Sequence, residues 1–90
     1  MKQIPKNKNL EHMQLHIDNA FNLINEFLPY NYVDLVIEKF PKNKAPTTNI
    51  IHNLRRRKVS GKKHLILLNI MVEIAQDYKK EEQKLIELTT

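Results

Sequence analysis

Ninety residues make one small domain, and the absence of cysteine excludes disulfides, thiolate metal sites and a cysteine nucleophile together. Apolar residues at 41% with a single glycine separate the chain from disordered or linker sequence, and its longest apolar run, 65–68, is far too short to span a membrane. Net charge is +5, and the excess is local: residues 30–60 hold seven bases against two acids, and no acid stands between Glu38 and Glu73. An acid-free block containing nine bases points to a polyanion partner rather than to a solvated face alone.

Residues 1–9 read as a polar tail, with no apolar stretch before His12 that would make a signal peptide, so a cytoplasmic protein is expected. From Leu10 apolar residues recur at Met13, Ile17, Ala20, Phe21, Ile24, Phe27 and Leu28, the three-and-four spacing of an amphipathic helix closed by Pro29. Leu15 and Leu23 widen its stripe, which predicts packing on two sides. Asn31 then suits the N-cap of a second helix through VDLVIEKF, with Val33, Val36, Ile37 and Phe40 on its buried face. Pro41 and Pro46 bracket the polar connection PKNKAP.

Thr47 or Thr48 caps a third helix over about 48–58, and Ser60-Gly61 ends it, Gly61 being the residue that takes a left-handed C-cap without strain. A fourth helix begins near 62–65 and runs to about Leu88. Its seam, Leu67, Met71, Ile74, Tyr78, Leu85 and Leu88 with Glu81 interrupting, alternates steps of four and three. Two uses of that seam fit: it packs on the domain's own core as far as Tyr78, or it serves dimerisation. No segment reads as a strand. The chain is expected to be all-α, with about four helices forming one domain over 10–88.

On a helical wheel over 47–58, Ile50, Ile51 and Leu54 share one arc and face the core. The opposite arc carries Asn49, His52, Asn53 and Arg56, flanked by Arg55 and Arg57. Asn pairs bidentately with adenine and Arg with guanine in the major groove, so this outer face has the chemistry of base readout. Thr47, Thr48, Lys42, Lys44, Arg55, Arg57, Lys58, Lys62 and Lys63 are the candidate phosphate contacts around it.

These residues resemble a known family. YVDLVIEKF, APTTNIIHNLRRRK and LNIMVEIAQDYKK, in that order, resemble the helix-turn-helix domains of Cro/repressor-like regulators, small bacterial and phage proteins. Residues 50–54 stand where that family opens its recognition helix, and 70–77 where a closing helix follows. The likeness covers roughly 30–80. It implies a helix-turn-helix core over 31–58 with an extra N-terminal helix and a long C-terminal one, and base contacts at Asn49, His52, Asn53 and Arg56. Three departures stand out: Ile37 occupies the position of a small residue at the helix crossing, no glycine stands at the turn, and Ile37 to Ile51 is fourteen residues where the compact motif uses about ten, so PKNKAP is a longer turn.

Other chemistry finds no support. His12 and His16 share a helix spacing but no third ligand matches them, so no metal or other cofactor is expected. Ser60-Gly61-Lys62-Lys63 lacks the glycines and preceding strand of a phosphate loop, and the acids are too dispersed for paired-carboxylate catalysis. The expectation is a non-enzymatic DNA-binding protein, a transcriptional regulator acting as a homodimer on double-stranded DNA, with no small-molecule substrate. The alternatives are a helical protein-interaction module, such as a phage or plasmid adaptor or inhibitor with a basic face, and an RNA-binding protein.

Overall fold

The computed structural model describes residues 6–90, with side chains from Met13 onward. Four helices follow one another: α1 (Lys6–Phe27), α2 (Tyr32–Glu38), α3 (Thr48–Arg55) and α4 (Leu65–Thr89), the last preceded by one 3₁₀ turn at Lys62–His64. No strand occurs among the described residues. The protein is all-α. α1 begins at Lys6 rather than Leu10, so the last residues of the expected polar tail form its first turn.

The main packing is α1 on α4, with α2 laid against α4 and α3 held between α1 and α2. Ile17 and Phe21 of α1 lie at the start of α4, around Gly61 and Leu68, while Phe27 at the other end reaches Lys79. The two long helices therefore run in the same direction with a stagger. That offset gives a long body, 56 × 39 × 22 Å, with residues 81–90 all exposed beyond the core.

Ile17, Phe21 and Ile24 from α1, Val36 from α2, Ile51 and Leu54 from α3, and Leu67, Leu68, Met71 and Ile74 from α4 form one buried cluster. Each such aliphatic or aromatic side chain contributes about 1.5–3 kcal/mol by leaving water. Helix spacing explains most of these positions, but three expectations fail at the margins. Leu15 is exposed, because α1 has only one packed side at that level. Ile37 is also exposed, since α2 turns Val36 and the half-buried Val33 and Leu35 inward instead, and so Ile37 does not sit in a helix crossing. Asn31 occupies the N-cap position of α2 without capping it, and its Oδ1 is buried with no partner.

The end of α3 differs more. The helix closes at Arg55, not near residue 58, and the left-handed residue is Arg57, φ 60°. Lys58 N donates to Asn53 O at 2.7 Å and Arg57 N to Leu54 O at 2.9 Å, the paired bonds of a Schellman cap. Gly61 is right-handed, φ −62°, and buried. Its need for glycine is spatial: a Cβ there would stand 3.0 Å from Phe21 Cε2 and 3.2 Å from both Ile17 Cγ2 and Leu68 Cδ2.

Candidate nucleic-acid interface

α3 is built to show one face. Thr47 is its N-cap, the Oγ1 accepting from Ile50 N at 3.3 Å, which satisfies one of the helix's orphan donors. Ile51 and Leu54, both wholly buried, fix the inner side of the helix in the core. Asn49 is left exposed, and His52 and Asn53 half-buried, on the outer side. Arg56, exposed, follows at the C-cap, one residue beyond the helix. The four residues picked out by the wheel thus follow one outer side of a single short element, although Arg56 is no longer helical.

His52 is not free. Its Nδ1 and the Tyr32 hydroxyl are 2.8 Å apart, with the rings edge-on at 88°. In the neutral ring a hydroxyl donated to Nδ1 places the remaining proton on Nε2, the other edge of the imidazole.

The flanking bases divide into two groups. Arg55 and Arg57 are engaged within the fold. Arg55 donates to Asn25 Oδ1 of α1 at 2.6 Å, with its guanidinium 5.9 Å from the Tyr32 ring centroid. Arg57 lies 4.6 Å above the Phe21 ring and bonds Asp18. The Arg57 guanidinium, and secondarily Gln14, hold the Asp18 carboxyl below its ordinary range. Both arginines are therefore struts between α3 and α1 rather than open phosphate ligands. No local sequence signal marks this, because the partners lie 30 and 39 residues away.

Lys42, Lys44, Lys58, Lys62 and Lys63 are all exposed and pair with no acid among the described residues. Thr48 is exposed beside them at the start of α3. Lys44, Lys62 and Lys63 line one groove, while Lys62 and Lys58 line the neighbouring depression. Lys62 belongs to both, so the lysines form a continuous belt from the 41–46 connection, past the start of α4, to the end of α3. Lys39, by contrast, is tied at 3.0 Å to Glu73 of α4, and that bond raises its pKa.

The expected dimer seam is split. Leu67, Met71 and Ile74 are buried in the chain's own core and cannot meet a second subunit without unfolding it. Tyr78, Leu85 and Leu88 remain exposed. His16 is exposed, and the side chain of His12 lies outside the described residues. No described helix is long and apolar enough to cross a membrane.

No family model, curated protein or solved structure matches this chain.

Proposed function

We propose that this protein binds double-stranded DNA through a helix-turn-helix formed by α2 and α3, as a transcriptional regulator acting on two half-sites as a homodimer. One observation carries the reading: a short helix anchored by two wholly buried residues faces outward with Asn49, His52 and Asn53, ends in Arg56, and has exposed lysines that pair with no described acid before its start and beyond its end.

In this reading α3 enters the major groove. Asn49 and Asn53 present amides suited to adenine, Arg56 presents a guanidinium suited to guanine, and the Nε2 edge of His52 offers a donor to a base acceptor. Thr47 and Thr48 put the positive end of α3 near a phosphate, and the lysine belt neutralises others. α2 braces α3 through the Tyr32–His52 bond. The 41–46 connection, longer than in the compact motif, carries Lys42 and Lys44 toward the backbone of the duplex.

Gel-shift titration on duplex DNA tests the reading. With about six phosphates neutralised, log K against log salt should slope near −5. Asn53→Ala with Arg56→Ala should bring selected-site binding down to the level of random duplex, each lost base contact costing about 1–3 kcal/mol. An affinity indifferent to salt, or a stable complex with a protein that survives nuclease, would overturn it.

A further inference from the structure

The groove beside the start of α4 has a lining that phosphate binding does not use. Phe40, Ile50 and Ile66 give it apolar walls, and Ile66 is 72% exposed there. No acid lines the groove, and its charged side chains are all lysines, with His64 beside them. Lys44 reaches it from the 41–46 connection, and Lys62 and Lys63 from the 3₁₀ turn, so cations come to it from two separate segments. All three are exposed and pair with no acid among the described residues. The positive end of α4 lies at the same place and adds the same sign.

The groove encloses about 480 Å³, within the span of about 300–1,000 Å³ that small-molecule sites occupy. A neutral apolar ligand would leave the lysines unused, and a bare phosphate would leave the apolar walls unused. One molecule that combines an aliphatic body with an anionic head uses both, the body against Phe40, Ile50 and Ile66 and the head among the lysines.

We propose that this groove binds a small anionic amphiphile, an aliphatic chain ending in a carboxylate or phosphate, and that its binding opposes the binding of DNA. The site stands apart from the DNA reading, whereas the opposition rests on it, because ligand and duplex draw on the same three lysines. Such coupling is reciprocal, so duplex lowers the affinity for the amphiphile by the factor that the amphiphile lowers the affinity for duplex. Lys42, Lys58 and the start of α3 stay open to phosphate when the groove is filled. The DNA complex is therefore weakened rather than abolished, which is the behaviour of a regulator that answers to a small effector.

The probe is decanoate below its micelle concentration, titrated into the full chain by calorimetry, with amide NMR to locate it and circular dichroism to follow helical content. One decanoate per chain should bind and shift the signals of Ile50 and Lys62 to Ile66. Decan-1-ol and acetate each carry half of its chemistry and should bind at least about tenfold more weakly. Ile66→Ser, and separately Lys62→Gln with Lys63→Gln, replace exposed side chains and should each weaken decanoate binding about tenfold with helical content unchanged. In gel shifts, saturating decanoate should lower the affinity for duplex and reduce the salt slope by about 2–3, the share of three lysines. Decanoate binding that decan-1-ol matches, that either variant leaves unchanged, or that accompanies loss of helix would overturn the site. So would capture by vesicles of anionic lipid without binding of free decanoate, which would make the groove a membrane contact. Duplex binding indifferent to bound decanoate would overturn the opposition. Decanoate binding by a chain with no affinity for duplex would uphold the site and overturn the DNA reading.

Discussion

The Tyr32 hydroxyl and His52 Nδ1 share a 2.8 Å hydrogen bond that joins the first residue of α2 to the outer side of α3. A helix of eight residues has little stability of its own, so its orientation depends on such ties and on Ile51 and Leu54 beneath it. Tyr32 is thus a positioning residue for the face that carries Asn49 and Asn53.

Tyr32→Phe keeps the ring and removes only the hydroxyl. It should cost about 0.5–1.5 kcal/mol in urea unfolding. It should also weaken binding to a selected DNA site more than binding to random duplex, since the imidazole is then no longer held in place by α2. Equal losses on both DNAs would show that the bond matters to the fold and not to readout.

Gly61→Ala should destabilise the protein by about 1–3 kcal/mol, the cost of an inserted methyl in a filled core. The usual gain on replacing glycine, about 0.4–1 kcal/mol, works the other way and is smaller. Phe21, Ile17 and Leu68 all crowd the new carbon and all are buried, so each has to give by a few tenths of an ångström inside a packed core. Thermal unfolding measures the outcome, and a raised melting temperature would show that the contact can relax.

Arg57 holds a left-handed backbone and a side chain engaged by Phe21 and Asp18. Arg57→Ala loses those contacts and keeps the strained backbone, whereas Arg57→Gly loses the contacts and relieves the strain. The glycine variant should therefore be the more stable of the two by about 1 kcal/mol in denaturant titration.

Asp18 has its pKa lowered in the folded state, by Arg57 first. Its contribution is fully present above the unfolded value, about 3.9, and disappears as pH falls through the lower folded value. Between pH 5 and 2, Asp18→Asn should show a shallower fall in stability than the wild type. Parallel curves would mean that the exposed pair has no net effect, as many surface pairs do.

Much of the fold is legible in the sequence because Ile17, Phe21, Ile24, Ile51, Leu54, Leu67, Met71 and Ile74 repeat at helical spacing, and each is buried. Thr47 is legible as a cap because its hydroxyl acts three residues away. The end of α3 is not. A glycine just beyond a helix reads as its left-handed terminator, yet the chain bends at Arg57 and keeps Gly61 for close approach to α1. That choice depends on Asp18 and Phe21, which no local pattern connects to residue 57. For the same reason Arg55 and Arg57 resemble Lys58 and Lys62 in sequence, although the two arginines are bound to α1 and the two lysines are open.

The largest interface joins the first helix to the last. A chain emerging from the ribosome has α1 early, but its apolar stripe finds its partner only when Leu68, Met71 and Ile74 have appeared. Until then α2 and α3 offer it just three wholly buried side chains, Val36, Ile51 and Leu54. Closing so long a loop carries an entropic cost that local helix formation does not repay, and it slows folding relative to a bundle of sequential neighbours. This domain should therefore gain protection from protease only once α4 has emerged past Ala75, the last of its buried residues, and not helix by helix.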